Sequence, residues 1–454
     1  MKKFAPATLF EFSQTLSVKF CCFVIRFTFC HSEQAKNLGF SPLAFSARAC
    51  YNKNTMAKQK KAALIAAIIF IITALVSALP FLSGCSASLI FKLNTETQTY
   101  SVGCEGYKSA FSGELIIPEA YGADNLPVTE VAANGFAGSS VTKLVLPKSV
   151  TKIGEKAFNG CTYLTEIAFA EDGSLKTIGS QAFRGTRISA LTIPASVEDI
   201  GIAAFADSAA LTTAAFAPEN TMTAVPQSIF AQSENLTFVG LPANCEEIGP
   251  LAMLGCTSLQ TITLPQTVKV IGPKSFESCS AFSNITLHDG ITTIGELAFY
   301  GTAIGEITVP ATVTDIYKPV LDEDGNQKKD EQGNLETRKV AGVGFGAFHT
   351  CENLKTAKIL GNIEAIEAGT FGYCPKLESV YLPNSVKKID GPIYYTNGKL
   401  YVGHAFHNCP ALKDIYFSGT QFEWTQIAVD KTNENANGGA YNNNAFLTAS
   451  VHYI

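Results

Sequence analysis

Three short stretches of the sequence carry residue types that can do chemistry. The first, HAFHNC at 404–409, holds His404, His407 and Cys409, side chains of the types that bind zinc. No second group of ligands follows at zinc spacing. The two histidines also fall at positions whose counterparts elsewhere in the chain are Lys156 and Asn159. We therefore expect no metal at this stretch.

The second stretch, LDEDGNQKKDEQGNLETRK at 321–339, has the start of a calcium-loop pattern. Asp322, Asp324 and Asn326 have the spacing of the first three calcium ligands. The loop lacks the glycine required at its sixth position and the glutamate required at its twelfth. Two turn signals, each with Gly followed by Asn, favour a charged and solvated hairpin instead.

The third stretch, GVGFGAF at 342–348, has closely spaced glycines but not the strand and helix that flank a phosphate-binding loop. No GxSxG nucleophile motif occurs in the chain. None of the six histidines has a nucleophile at a spacing from which an acid–base pair can be argued. We therefore expect no catalytic residue and no cofactor.

Six cysteines share one position, three residues after a recurring phenylalanine or methionine. They are Cys161, Cys256, Cys279, Cys351, Cys374 and Cys409. Elsewhere the same position holds Ser139, Thr186, Ser208, Ser233 or Thr302. A position that accepts these three types requires a small side chain with weak hydrogen-bonding ability. Side chains on stacked strands lie farther apart than the ~3.8 Å between Cβ atoms that a disulfide prefers, so we expect structural free thiols.

A period near 23 residues organises most of the chain and must position all of these side chains. The phrase IGxxAF, or a close variant, recurs in steps of 22 to 25 residues, with two longer steps of 49 and 35. Its last position is Phe136, Phe158, Phe183, Phe205, Phe230, Met253, Phe276, Phe299, Phe348, Phe371 and Phe406. A period of this length indicates stacked units.

Each repeat has the same physical parts. Leu164, Ile167 and Phe169 have the spacing of a short strand with one buried face. A proline such as Pro147 ends the strand, because it cannot donate to a ladder. A second short strand leads to Gly154, which permits a tight bend before the phenylalanine that fills the coil interior. A single coil cannot bury its apolar face, so neighbouring coils must stack and share one core.

The repeat LPKSVTKIGEKAFNGCTYLTEI at 146–167 returns as LPQTVKVIGPKSFESCSAFSNI at 264–285, and it resembles the BspA-like (Treponema pallidum-type) leucine-rich repeat. The resemblance implies a leucine-rich-repeat solenoid over 115–420. Such a fold is a β-rich right-handed superhelix, here of about eleven ~23-residue coils with short parallel strands. The sequence departs from the pattern at Met253, at Val225, and where Gly is missing after Val225 and Ile389.

Segments outside the regular repeats have their own predicted roles. Insertions near 317–342 and 390–402 account for the two long steps. We predict an N-terminal cap over 86–114 and a C-terminal cap over 421–454, because solenoid ends need atypical sequence. Trp424, the only tryptophan, is expected in the core of the C-terminal cap.

The N-terminal part of the chain contains a sequence typical of an export signal, but it starts only at Met56. Residues 1–55 have no period and no turn pattern, and we interpret them as a mis-called N-terminal extension. From Met56 a short basic stretch precedes Ala62–Leu82, which carries no charge. This order is typical of a signal peptide, which we place at 56–85.

The signal ends in a sequence that predicts lipidation. Leu82, Ser83 and Gly84 precede Cys85, and this order resembles a bacterial lipobox. The resemblance implies acylation of Cys85 and anchoring through its acyl chains. An uncleaved transmembrane anchor is the alternative, because Ala62–Leu82 is long enough to span a bilayer.

Charge and surface composition limit the partners. The net charge of −5 argues against nucleic acid, which requires a basic face. Outward strand positions are mostly small residues or threonine in the middle coils, and aromatic residues appear only in the C-terminal coils. Tyr381 and Tyr416 form the candidate binding patch, because tyrosine is enriched at interfaces. The alternative is that both rings pack on the insertion at 390–402.

The resemblance also implies a function. It predicts an exported lipoprotein, membrane-anchored at the bacterial cell surface or envelope, that mediates adhesion or protein–protein interaction without catalysis. The expected partners are proteins or glycans of a host matrix or of neighbouring cells. A structural spacer in the cell envelope without a specific ligand is the alternative. A third reading, an envelope hydrolase, requires carboxylates clustered in a cleft.

Overall fold

The chain winds into a solenoid of about eleven turns built from short strands. The structure is a computed structural model that describes residues 88–105, 108–319, 337–391, 393–394, 401–431 and 443–454. All of these residues lie in one compact unit, Ala78–Ile454. The predicted solenoid of parallel strands is confirmed.

The elements follow in chain order. The first strands are β1 Ser88–Asn94, β2 Thr99–Glu105, β3 Ser112–Ile116, β4 Ala120–Tyr121, β5 Leu126–Val131, β6 Ser140–Val145, β7 Lys152–Ile153, β8 Glu166–Ala168, β9 Thr177–Ile178 and β10 Ala190–Ile193. Next come β11 Asp199–Ile200, β12 Thr213–Phe216, β13 Ala224–Val225, β14 Phe238–Gly240, β15 Glu247–Ile248, β16 Val270–Ile271, β17 Thr293–Ile294, β18 Glu306–Val309, β19 Ile316–Pro319 and β20 Thr337–Val340. The last are β21 Thr356–Ile359, β22 Ala365–Ile366, β23 Ser379–Leu382, β24 Lys388–Ile389, β25 Ile393–Tyr394, β26 Tyr401–Val402, β27 Asp414–Phe417, β28 Ala428–Val429 and β29 Ser450–Tyr453. The helices within the described residues are a 3₁₀ turn at Lys108–Ala110, α1 Gln421–Thr425 and α2 Asn444–Thr448.

The strands form ladders on two faces of the solenoid. The first face carries the orders β3-β6-β8, β10-β12-β14 and β18-β21-β23-β27-β29. The second face carries β1-β2-β5-β7-β9-β11, β13-β15-β16-β17 and β22-β24-β28. Pairing between successive coils is parallel and in register, so Leu144 lies beside Ile167, and Leu191 beside Ala214. Equivalent residues of neighbouring coils therefore form straight columns.

The core is a column of phenylalanine rings. The rings of Phe136, Phe158, Phe183 and Phe205 are buried, nearly parallel, and separated by 5.3 Å between centroids. Met253 interrupts the column, which resumes at the next coil. Each ring packs between the rings of the coils before and after it, so the repeated aromatic position joins successive coils through one continuous core.

Backbone hydrogen bonds also link the turns that carry the phenylalanines in neighbouring coils. Phe158 N–H donates to Ala182 C=O at 2.7 Å, and Lys156 N–H donates to Ser180 C=O at 2.9 Å. Lys156 has a φ of 54°, in the left-handed region that costs a non-glycine residue about 1 kcal/mol. The hydrogen bonds to the next coil stabilise this conformation.

In each insertion, a short strand near the start pairs antiparallel with a short strand near the end. β19 pairs with β20, and β25 pairs with β26. The predicted hairpin is confirmed for the paired arms of the first insertion. Its calcium-like residues, Asp322, Asp324 and Asn326, lie outside the described residues.

The two ends of the solenoid are closed differently. At the front, the β1–β2 hairpin joins the second face, and Phe111 packs edge-on against Phe136 at 5.6 Å. At the back, β28 and β29 extend the two faces beyond the last full coil. Phe446 stacks on Phe406 at 4.9 Å, and Trp424 packs partly buried beside Phe446. The C-terminal segment thus continues the aromatic column with one more ring.

Candidate functional site

An aromatic ladder lies on the outward side of the first face in the C-terminal coils. Its members are Lys358, Tyr381, Tyr416 and His452, one from each of β21, β23, β27 and β29. Strand register places each member directly beside the next. The column exists because successive coils carry outward residues at the same strand position. We call these four residues the aromatic ladder.

The side chains of the aromatic ladder contact one another in sequence. The rings of Tyr381 and Tyr416 stack with centroids 4.4 Å apart and planes within 12°. The His452 ring stacks on Tyr416 at 4.8 Å, and Lys358 Nζ lies 5.2 Å from the centroid of Tyr381. His452 Nε2 lies 2.8 Å from Asp414 Oδ1, which ties the last ring to β27.

This arrangement presents ring edges rather than ring faces. Each tyrosine face is covered by its neighbour, so the stacked rings are held in place by packing. Both tyrosines are half-buried, and Lys358 and His452 at the two ends are exposed. Rigid tyrosine area is typical of protein-binding surfaces, where Tyr is enriched and loses little side-chain entropy on binding.

The sequence identified part of this surface. Tyr381 and Tyr416 were predicted as the binding patch, and the structure brings them into direct contact. His452 was missed, because it lies in the segment assigned to the C-terminal cap, which gave no sign of a further strand. The insertion at 390–402, on which the alternative places the tyrosines, lies largely outside the described residues.

A second feature of the first face, in the middle coils, was also missed. Phe238 in β14 is 55% exposed and borders a shallow depression of about 720 Å³. Its lining includes the small residues Ala190, Thr213 and Ala215 as well as larger apolar residues such as Ile167 and Phe169. The column of outward residues read from the sequence passes through Gly240 in this coil. Phe238 flanks the buried Val239 on its other side, so it was not part of that column.

The cysteines that lie three residues after the repeated phenylalanine or methionine donate hydrogen bonds to the backbone of the preceding coil. Cys161 Sγ donates to Phe136 C=O at 3.1 Å, and Cys256 Sγ donates to Phe230 C=O at 3.3 Å. Burial raises the pKa of the Cys256 thiol to about 12. The eight cysteines that the structure describes are buried and free. The predicted small side chain with hydrogen-bonding ability is confirmed, and its acceptor is a carbonyl of the preceding coil.

The histidines of HAFHNC are buried in a cluster with His349. His404 and His407 are 1% exposed, whereas Lys156 and Asn159, at the same positions of an earlier coil, are partly exposed. His407 Nδ1 lies 2.6 Å from His404 C=O, and the His349 and His407 rings are 5.3 Å apart. Cys409 Sγ instead donates to a turn carbonyl, that of Phe371, at 2.9 Å. The two histidines and the cysteine therefore have separate structural partners.

Among the residues that the structure describes, no three His, Cys, Asp or Glu side chains are grouped so that they could hold a metal ion. Within the same residues, no helix is both long and apolar enough to cross a membrane. Cys85 and the predicted signal peptide at 56–85 lie outside the described residues.

The repeats match one known family. Residues 129–224, 215–324 and 334–447 match the family described as BspA type Leucine rich repeat region, in six copies. The chain belongs to the BspA-type leucine-rich repeat family. The predicted family is therefore confirmed. No curated protein matches the chain.

Solved bacterial structures are similar to this member of the BspA-type family. A leucine-rich repeat protein from Bacteroides ovatus is 18% identical with a TM-score of 0.49, covering 81% of this chain and 98% of its own. A leucine rich cell surface protein from Faecalibacterium prausnitzii is 24% identical with a TM-score of 0.39, covering 76% and 97%. The T. pallidum leucine-rich repeat protein is 27% identical with a TM-score of 0.31, covering 38% and 87%.

Proposed function

We propose that this protein is a non-catalytic binding protein of the bacterial cell surface, and that the aromatic ladder is part of its contact surface. BspA-type repeats suggest protein–protein interaction or adhesion. The observation that carries the proposal is the stacked, partly exposed pair Tyr381 and Tyr416, with Lys358 at one end. The partner is a protein or glycan of a host matrix or of a neighbouring cell.

Export and anchoring belong to the same proposal. The basic stretch before Ala62–Leu82, followed by the lipobox-like sequence ending at Cys85, supports a lipoprotein signal. Two or more acyl chains on one residue give stable membrane attachment. The solenoid would then present its first face to partners outside the cell.

The binding surface is tested with the full chain, purified in detergent, on an array of matrix proteins, mucins and glycans. The double variant Tyr381→Ser, Tyr416→Ser should lose saturable binding by roughly tenfold or more, because buried interface tyrosines dominate binding energy. Tyr163→Ser is the matched control, since Tyr163 is 61% exposed and lies outside the aromatic ladder.

Each outcome has a definite meaning. Binding that the double variant retains would move the contact surface away from the aromatic ladder. If the folded protein binds nothing on the array, the structural spacer is favoured.

Lipidation is tested by metabolic labelling with a fatty-acid analogue in a bacterial host. Cys85→Ala should abolish labelling, because this thiol is the proposed acylation site. Cys104→Ala is the control, since Cys104 lies after the signal, and it should be labelled like the parent chain. Unchanged labelling of Cys85→Ala would refute the lipoprotein assignment and favour the uncleaved anchor.

A further inference from the structure

The predicted lipidation site lies directly in front of the first strand of the solenoid. Ser86 and Ala87 separate Cys85 from β1, which begins at Ser88. Because an extended chain spans at most about 3.6 Å per residue, Ser88 lies within roughly 11 Å of Cys85. The bilayer that holds an acylated Cys85 is therefore close to β1. An uncleaved anchor ending at Leu82 would also hold β1 near the membrane.

β1 forms the front edge of the solenoid. Within the described residues it is the first strand of the ladder on the second face, and it pairs with β2 on one side. Leu89 and Phe91 pack partly buried against the core, whereas Leu93, on the same side of the strand, is 38% exposed. In the part of the chain that the structure describes, no coil lies in front of this strand, so its core side is incompletely covered.

Two further apolar side chains are exposed in the same part of the molecule. Ile90 in β1 is 46% exposed, and Tyr121 in β4 is 47% exposed. Tyr121 stacks on Phe91 with centroids 3.7 Å apart, and Tyr100 packs edge-on against Tyr121 at 5.2 Å, so the exposed ring is held in place. We call Ile90, Leu93 and Tyr121 the front patch. Aliphatic side chains beside a tyrosine are typical of surfaces that lie in the interface region of a bilayer.

The charges beside the front patch favour a zwitterionic rather than an anionic lipid surface. Glu96, Glu105 and Asp124 are exposed there, against one exposed cation, Lys92 in β1. Lys92 can extend its charged end to lipid phosphates while its stem stays beside apolar groups. Contact with lipid at this end is therefore apolar in origin.

The sides and the back end of the solenoid fit a bilayer less well. Exposed ion pairs lie along the sides, such as Lys143 with Glu166 at 3.0 Å and Lys413 with Glu378 at 3.0 Å. Their removal from water would be costly. The back end exposes apolar side chains such as Phe422. About eleven coils separate that end from β1, on the order of 50 Å at the spacing of stacked strands.

We propose that the front patch lies in the interface region of the bilayer that anchors the chain, with zwitterionic lipid as its partner. Ile90 and Leu93 contact the upper acyl chains, and the Tyr121 ring lies among the headgroups. This inference rests on the membrane anchoring proposed above and adds the surface through which the solenoid contacts the membrane. The coils then extend away from the bilayer, and the aromatic ladder lies near the far end, where partners outside the cell can contact it.

Quenching of tryptophan fluorescence by lipid tests this contact. The full chain with L93W is expressed with its own signal, purified in detergent and placed in vesicles of phosphatidylcholine that carries bromine high on its acyl chains. The emission that L93W adds to that of the parent chain should fall by roughly half or more relative to unbrominated vesicles, because interfacial side chains lie about 5–10 Å into the boundary of headgroups and acyl chains.

The chain offers two controls for this measurement. Trp424, the only natural tryptophan, lies in α1 at the back end, so the parent chain should show little quenching. I202W is the matched control, because Ile202 is 51% exposed but lies in a middle coil, and its added emission should also be little quenched.

A charge placed in the front patch separates lipid contact from tethering. I90D in the L93W chain should weaken the quenching by roughly twofold or more, because a carboxylate is costly to remove from water. I202D in the same chain should leave the quenching unchanged. Neither substitution should change fatty-acid labelling of Cys85 or flotation of the chain with the vesicles.

The two proposals fail in different ways. A labelled chain that floats with the vesicles, but whose L93W emission is unquenched or whose quenching I90D does not alter, would overturn the front-patch contact and leave the lipoprotein assignment intact. A chain that is neither labelled nor floats would overturn both. Quenching in a chain that floats without labelling would support the contact and favour the uncleaved anchor.

Discussion

The cysteine position illustrates how one side chain can serve the backbone of a neighbouring coil. Cys279 Sγ donates to Met253 C=O at 3.1 Å, the same contact that the other thiols in this position make. Ser233 Oγ lies 3.5 Å from the corresponding Phe205 C=O. The sequence predicted the size and polarity of this position, because Cys, Ser and Thr alternate there. It could not predict the acceptor, which belongs to another coil.

Substitution of Cys256 tests this role. Cys256→Ser should change the free energy of unfolding by less than about 1 kcal/mol, because serine can also donate to Phe230 C=O. Cys256→Val should lose about 1–3 kcal/mol, because the buried carbonyl is left without its thiol partner. Thermal unfolding followed by circular dichroism measures both variants. Equal destabilisation by the two variants would refute a hydrogen-bonding role for the thiol.

The Asn443 side chain caps the column of backbone hydrogen bonds that links the phenylalanine turns of successive coils. In regular coils the phenylalanine N–H donates to the next coil, as Phe371 does to Ala405 C=O. At the last coil, Phe406 N–H donates instead to Asn443 Oδ1 at 3.1 Å. Asn443 Nδ2 donates to Asp430 C=O at 3.1 Å, and the side chain is 1% exposed. A side-chain amide thus substitutes for the backbone of a missing coil.

Removal of this amide should loosen the C-terminal end of the solenoid. Asn443→Ala leaves the buried Phe406 N–H without its acceptor, and we expect a loss of about 1–3 kcal/mol. Hydrogen exchange should show faster exchange in the last coil and unchanged exchange near Phe158. Leu447→Ala on the exposed side of α2 is the control and should have little effect. Unchanged protection of the last coil in Asn443→Ala would contradict the capping role.

Periodicity predicts features that recur, and coil-to-coil geometry decides those that do not. The phenylalanine column, the cysteine position and the contact of Tyr381 with Tyr416 followed from the repeat, because register is shared by every coil. Phe238 and Asn443 could not be assigned in this way, because each occurs once and depends on residues one or more coils away. Strands β11 and β13 do not pair with each other, and the sequence showed this break only as a missing glycine, at Pro226.

The positions of the buried histidines predict which part of the solenoid unfolds first at acidic pH. His349 lies in the C-terminal coils, 6% exposed, with Nδ1 2.6 Å from Thr350 Oγ1. Burial, and secondarily the charge of His407, lowers the pKa of His349 to about 4 from 6.5. Burial also lowers the pKa of His407. Both side chains therefore favour the neutral form in the folded protein.

Because these pKa values are lowered on folding, the unfolded chain binds more protons between pH 6.5 and about 4. Stability should fall as pH falls through this window, by roughly 3 kcal/mol for His349 at its lower end, and this contribution should change little below it. Hydrogen exchange at pH 7, 5.5 and 4.5 should show protection lost first around Phe348 and Phe406, and later around Phe158. His349→Leu should reduce the loss, since Leu254 occupies this position in a regular coil. Uniform loss of protection along the solenoid, or an unchanged loss in His349→Leu, would show that these histidines do not set the acid response.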